Sequence, residues 1–287
     1  MQKALVTGGS GFIGSHLVRV LRERGVDAVS YDLKEENDIF NRERLKAALV
    51  GVDTVFHLAA LVSVPESMDA PLKAHATNVS GTVVVLEESR AAGVARVVYA
   101  GSAAVYGDEP SMPKNESSPI LCQSPYALSK YMGEQWCRLY TSAFGFDTVV
   151  LRFMNVYGPG QSITGGYGAI IPVALDKLAR SEVLTVSGDG TQTRDFVYVT
   201  DVVDACIRAA EQGKPGETYL VASGVETSIN DIVQAINAAG KSLTHTYGPA
   251  RAGDINRSVG DASYAKRELG WEARTSITEG IRRILEK

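Results

Sequence analysis

Seven residues near the start of the chain, Gly8-Gly9-Ser10-Gly11-Phe12-Ile13-Gly14, constrain its fold more than any other feature. They follow a short apolar run at 3–7 and open a stretch, 13–24, whose apolar residues recur at helical spacing. Glycines at 8, 11 and 14 permit a tight turn, close approach of backbone to a pyrophosphate, and close packing of helix on strand. The helix N-terminus then offers amide donors and the positive end of its dipole to phosphates. A glycine pattern alone also suits a plain strand-to-helix turn. Its place between the first strand and first helix of an alternating chain is what strengthens the reading. Asp32 closes a second strand at 26–31, eighteen residues past Gly14. A carboxylate there accepts from both hydroxyls of an adenosine ribose and repels a 2′-phosphate, so NAD is expected over NADP.

The rest of the first half repeats the alternation. A helix at 42–49 leads to a strand at 54–58, and a long helix at 71–92 to a strand at 96–100. A helix at 124–144 precedes a strand at 148–152. Near-continuous apolar strands flanked by helices predict a parallel sheet covered on both faces, with right-handed crossovers. The expected fold is α/β, a doubly wound Rossmann sheet. After Asn155 the texture changes to glycine- and proline-rich stretches such as YGPGQ and TGGYG. Segments 194–210 and 217–222 read as a helix and a strand returning to the main sheet. The expected division is therefore 1–155 with about 195–222 as the cofactor domain. An interleaved C-terminal substrate lobe takes about 156–194 and 223–287.

Composition narrows the partners. The chain is 45% hydrophobic and 22% charged, with a formal net charge of −4 and no block of like charge, which argues against nucleic acid or a membrane surface. No apolar run approaches a membrane span, and MQKALVTGG enters a strand at once, without room for a signal peptide. Three widely spaced cysteines read as reduced thiols of a cytoplasmic protein, and four histidines without ligand spacing predict no metal.

Chemistry concentrates at the strand ends. Ser102 stands just past the fourth strand in AGSAAVYG, on the edge where such sheets bind ligands. Tyr126 and Lys130 lie in SPYALSK at a helix start, with Ser124 as N-cap and Pro125 in the first turn. Their i, i+4 spacing puts phenol and ammonium on one helical face. A free tyrosine, with a pKa of about 10, is a poor base at neutral pH, and a neighbouring cation lowers that value. Ser102 would align a substrate hydroxyl. Tyr-x-x-x-Lys alone is common as an exposed helix pair; a dinucleotide-type fold with a serine at the preceding strand end turns the reading toward catalysis.

The ordered series TGGSGFIGSH, FHLAALVSVPES, NVSGT, GSAAVYG, YALSK, RFMNVYGPG, GDGTQTRDFVYVTDV and RAGDI covers nearly the whole chain. In it the sequence resembles the extended short-chain dehydrogenase/reductase family, particularly the UDP-hexose 4-epimerases. The resemblance implies that Gly8, Gly11, Phe12, Ile13, Gly14, Asp32, Asp38, Ile39, Ala59, Asn78, Tyr126 and Lys130 form the NAD site. It implies a nucleotide-sugar site containing Ser102, Asn155, Arg194, Arg251, Asp254 and Ser258, the two arginines on the diphosphate. Two guanidiniums facing a dianion are also chemically apt, although a salt bridge would use them equally well. The implied reaction oxidises the sugar 4-hydroxyl, turns the 4-ketose over and reduces its opposite face, regenerating NAD. A homodimer through the helices 71–92 and 124–144 is implied as well.

Ser102-Ala103-Ala104 offers no carboxylate after the fourth strand, which disfavours a 4,6-dehydratase. The loop GPGQSITGG has no cation and Asn155 is not threonine, which disfavours a UDP-uronate; a dTDP-sugar stays open. Ala104 stands where many epimerases carry a second hydroxyl, and Val62 where some carry lysine. Ser258 replaces a bulky tyrosine of glucose-restricted members, so room for a 2-acetamido group is expected; it serves equally as a small packing residue. The reading from another class, a redox-silent NAD-binding regulator, has Ser102, Tyr126 and Lys130 against it.

Overall fold

The computed structural model describes residues 1–163, 170–250 and 255–286. The chain opens with β1 (Lys3–Thr7), α1 (Phe12–Glu23), β2 (Asp27–Tyr31), α2 (Arg42–Ala48) and β3 (Thr54–His57). Helices α3 (Val64–Asp69), α4 (Pro71–His75) and α5 (Gly81–Ala91) lead to β4 (Arg96–Ser102), and α6 (Pro125–Phe144) to β5 (Thr148–Phe153). These strands are joined by β9 (Thr218–Val221) in a six-stranded sheet ordered β2-β1-β3-β4-β5-β9, parallel throughout.

Strand alternation builds a core on each face. Ala4, Val6, Phe56, Val98, Ala100 and Leu151 point toward α1 and α8 (Val199–Gln212), burying Leu17, Leu21, Val202 and Cys206. Leu5, Val55, Val97, Tyr99 and Val150 point the other way, onto Leu45 of α2, Val85 and Leu86 of α5, and Cys137 and Tyr140 of α6. A third cluster lies beneath smaller sheets. Strands β6 (Asn155–Tyr157), β8 (Thr193–Tyr198) and β10 (Glu226–Ser228) form one, while β7 (Leu184–Ser187) pairs with β11 (His245–Gly248). Helices α7 (Ile170–Ala179), α9 (Ile229–Ala238) and α11 (Ile277–Leu285) cover them through Ile171, Ile232, Ile236 and Ile281.

Three expectations are corrected. The run 194–210 is not helical throughout: Arg194–Tyr198 belongs to β8 and the helix begins at Val199. Period two explains it, because Val197 faces the main core while Phe196 and Tyr198 face the third cluster. The helix at 71–92 is broken by a wide π turn, Ala76–Ser80, where the Thr82 hydroxyl donates to the Asn78 carbonyl at 2.7 Å. Helix α10 (Ser263–Leu269), assigned from sequence to the smaller lobe, covers the large sheet instead: Ala265, Leu269 and Trp271 are buried in its core. Among the described residues, no helix is long and apolar enough to cross a membrane.

Candidate active site

All six strands of the large sheet run parallel, so their C-terminal ends share one edge, and the order reverses between β1 and β3. A crevice opens at such a switch point. Gly8 has φ of +69°, and a Cβ there would meet the Ala59 nitrogen at 2.8 Å; one on Gly14 would sit 2.1 Å from the Gly8 carbonyl oxygen. Side chains at these positions would push the turn off its neighbours. Gly11 caps α1 with no side-chain hydrogen bond, leaving the first-turn amides open to an anion.

Asp32 follows directly on β2. Its Oδ2 accepts from the Ser10 amide at 3.1 Å and its Oδ1 from the Lys34 amide at 2.9 Å, which fixes the carboxylate at the groove. Glu35, which the sequence reading passed over, brings a second carboxylate beside it, accepting from the Ser30 hydroxyl at 2.9 Å. An uncapped helix end, a glycine cradle and an acidic ribose end together fit a dinucleotide. Phe12, Ile13, Asp38, Ile39 and Ala59 line the same groove. Asn78 does not. It is buried behind the wall, its amide donating to the Leu61 carbonyl and the Ser129 hydroxyl and accepting from the Leu61 N–H. With both donors committed, Asn78 holds the 59–61 segment in place.

His57 supports the same wall and was missed. It is the buried polar residue of an otherwise apolar strand end, and that was the available signal. The Thr82 hydroxyl donates its proton to the Asn78 carbonyl, so His57 Nε2 must donate to Thr82, at 2.9 Å. His57 Nδ1 therefore accepts from the Thr7 hydroxyl at 2.7 Å, and Thr7 Oγ1 accepts from the Ala59 N–H at 3.2 Å. Burial, then the Lys130 charge, pushes the imidazole down to a pKa of about 3, so it is neutral.

At the middle of the groove, Ser102 is the last residue of β4, which runs two residues beyond its expected end at 100. Ser124 caps α6 by accepting from the Ala127 amide at 3.1 Å, and Pro125 occupies the first turn. This presents Tyr126 toward Ser102, whose hydroxyl lies near enough to favour the phenolate. Lys130 is buried and donates to the Ala100 carbonyl at 2.8 Å, its ammonium 5.0 Å over the Tyr99 ring. Burial pushes Lys130 down to about 8. Tyr126 departs from expectation: burial raises the phenol above its ordinary value, and the Ser102 hydroxyl is the influence that lowers it. Burial and the Ser102 hydroxyl are the influences on this phenol, and the Lys130 ammonium, held on the Ala100 carbonyl, is not one of them.

The far end is built by the smaller sheets. Asn155, Arg194 and Ser258 line it, whereas Arg251 and Asp254 lie outside the described residues. Arg194 Nη1 donates to the carbonyls of Thr193 at 2.8 Å and Ile255 at 2.6 Å. Among the described residues, two further cations reach this end, each neutralised: Arg257 pairs with Glu226 and the buried Lys114 with Glu109. The groove is one continuous space of about 1530 Å³. That exceeds the roughly 300–1,000 Å³ of a single small-molecule site, and suits two ligands end to end.

A parallel dinucleotide sheet, a Tyr/Lys pair with serine at its edge, and a second compartment beyond them define an extended short-chain dehydrogenase/reductase. Residues 4–222 match the NAD dependent epimerase/dehydratase family. The chain belongs to that family, and NAD is its cofactor. It is 36% identical over 308 residues to a UDP-glucose 4-epimerase of Mycolicibacterium smegmatis, covering 99% of this chain and 97% of that protein. The UDP-glucose 4-epimerase of Thermotoga maritima, solved with UDP-glucose, superposes with a TM-score of 0.92 at 32% identity, covering 99% of this chain and 98% of that one. A UDP-N-acetylglucosamine 4-epimerase of Methanobrevibacter ruminantium, in complex with UDP-N-acetylmuramic acid, matches with a TM-score of 0.92 at 30% identity, covering 99% and 97%.

Proposed function

We propose that the protein interconverts UDP-hexoses epimeric at C4, through a 4-keto sugar that stays in the groove. The observation that carries this is the continuity of the groove. Dinucleotide cradle, Ser102–Tyr126 pair and Arg194/Ser258 compartment share one space, so a sugar diphosphate reaching from the far end brings its sugar to the phenol. When bound, NAD supplies a reversible hydride acceptor for the sugar carbon. Tyr126 accepts the proton of the 4-hydroxyl and later returns it, and Ser102 holds that oxygen by a hydrogen bond. Lys130, fixed on the Ala100 carbonyl, supplies the cation that a phenolate at Tyr126 requires. Arg194 holds the diphosphate while the 4-keto sugar presents its other face.

The pairing of Lys114 with Glu109 and of Arg257 with Glu226 leaves these two cations internally neutralised, which favours a neutral sugar over a uronate. Ser258 on the groove wall supports acceptance of 2-acetamido sugars beside plain ones. A homodimer is supported by the exposed apolar residues Leu72 of α4 and Leu128, Leu139 and Phe144 of α6.

Purified protein incubated with UDP-glucose, UDP-galactose, UDP-GlcNAc and UDP-GalNAc, without added NAD, is expected to yield the C4 epimers on chromatography. Tyr126→Phe is expected to lose about 10²–10⁴-fold in turnover while keeping its NAD. No epimer from the wild-type protein, with NAD verified as bound, would refute the reading.

A further inference from the structure

Asp195 is fully buried, next to Arg194 on β8, and is absent from the groove lining. Its carboxylate gathers donors from two distant segments. Oδ1 accepts from the Ser223 N–H and hydroxyl, both at 2.7 Å, and Oδ2 from the Gly224 N–H at 2.9 Å and the Gly260 N–H at 3.1 Å. All four donors are neutral, so an ionised Asp195 is held by charge-assisted hydrogen bonds alone. Burying a carboxylate in this way is costly unless every lone pair is used, and here two are used on each oxygen.

The segment these bonds secure is 255–260. Its Ile255 carbonyl accepts from Arg194, its Asn256 carbonyl from the Thr193 N–H at 2.9 Å, and its Val259 carbonyl from the Lys114 N–H at 2.8 Å. Gly260 is pressed against the end of β9: a Cβ there would lie 2.5 Å from Ala222 Cβ and 2.9 Å from Leu220 Cδ2. Ser258, inside this segment, faces the groove, as does Arg194. Moving Gly260 therefore moves the segment that carries both a wall residue, Ser258, and one of the carbonyls that hold Arg194.

We propose that Asp195 is the positioning residue of the nucleotide-sugar compartment, its buried carboxylate setting the 255–260 segment, and through it Ser258 and Arg194, for binding the nucleotide diphosphate. The proposal rests on the reading that this end of the groove holds a nucleotide sugar. Asp195→Asn keeps the shape but replaces one acceptor oxygen by an NH₂ facing donors, so it breaks half of the clamp.

The test measures UDP affinity by calorimetry, KM and kcat for epimerisation, NAD content, and amide exchange at Ser223, Gly224 and Gly260. Asp195→Asn, which loses the two bonds on the replaced oxygen, is expected to weaken UDP binding and raise KM by about tenfold. With kcat within about twofold and NAD content as in wild type, the effect is confined to substrate binding. Faster exchange at the three amides accompanies it. Ser223→Ala, which removes the hydroxyl donor alone, is expected to shift UDP affinity less, in the same direction. Unchanged UDP affinity in Asp195→Asn overturns the proposal, as does a parallel fall of kcat and NAD content. If Asp195→Asn does not fold, unchanged affinity in Ser223→Ala overturns it. A wild-type protein that binds no UDP brings down the functional reading first, and this proposal with it.

Discussion

The two walls of the groove are held by different chemistry. Behind the dinucleotide, the 59–61 segment is tied to the core by neutral groups: Thr7, His57 and Thr82 in one directed chain, and the amide of Asn78. Across from it, the 255–260 segment is tied by ionisable groups: Asp195, Arg194 and the Arg257–Glu226 pair, with the Lys114 backbone beside them. In the neutral chain each hydroxyl and the imidazole both accepts and donates, so the bonds run in series and end on the Asn78 carbonyl, whereas at Asp195 every donor converges on one acceptor. A carboxylate lets its donors approach from several sides. The cofactor wall is therefore built for one fixed backbone, and the substrate wall gathers segments that lie far apart in sequence.

Breaking the neutral chain is expected to have the larger effect on stability. His57→Leu leaves the Thr7 hydroxyl proton without an acceptor in the core, costing about 1–3 kcal/mol, beyond the loss of imidazole packing. Denaturant unfolding should show this loss together with reduced NAD retention. Stability lost while NAD retention stays as in wild type would separate His57 from the cofactor wall.

Acid sharpens the contrast. The pKa of His57 is about 3 in the folded protein, below its unfolded value of about 6.5, so between these values the unfolded chain binds a proton that the folded one does not. Its contribution to stability is thus complete above about pH 6.5 and is lost as pH falls toward 3, by at most about 1.4 kcal/mol per pH unit. The stability gap between wild type and His57→Gln should therefore narrow from pH 6.5 to pH 5. Asp195 has the opposite sign, because burial raises its folded pKa and the folded chain takes up a proton first as pH falls. A gap of constant width for His57→Gln would mean that the imidazole is not held neutral.

The smallest change is expected at the rim. Arg257 is 63% exposed and Glu226 27% exposed in their ion pair. Screened pairs of this kind contribute about 0–1 kcal/mol, so Arg257→Gln should alter KM by no more than about fivefold. A tenfold rise would place Arg257 on the substrate itself.

Much of this is legible in the sequence alone. The glycine turn, the helix behind it and the acid closing the next strand are local, and local geometry follows from φ freedom, spacing and caps. Tyr126 and Lys130 share a helix turn, and Ser124 caps it as its position in SPYALSK predicts. Other features were read wrongly for one reason. Apolar spacing tells which residues are buried, and not against what. Arg194–Tyr198 alternates between two cores that only the fold separates, and α10 covers the large sheet although it follows the smaller one in the chain.

The sequence by itself determined the class of fold, the cofactor and the helix that carries the Tyr/Lys pair, because each is written in the order and spacing of residues along the chain. Tertiary structure alone decided which polar groups hold the walls. Asn78 meets Ser129 across 51 residues, His57 meets Thr7 across 50, and Asp195 meets Gly260 across 65. It also decided that burial raises the Tyr126 phenol, since desolvation depends on everything packed around a group and not on its neighbours in the chain.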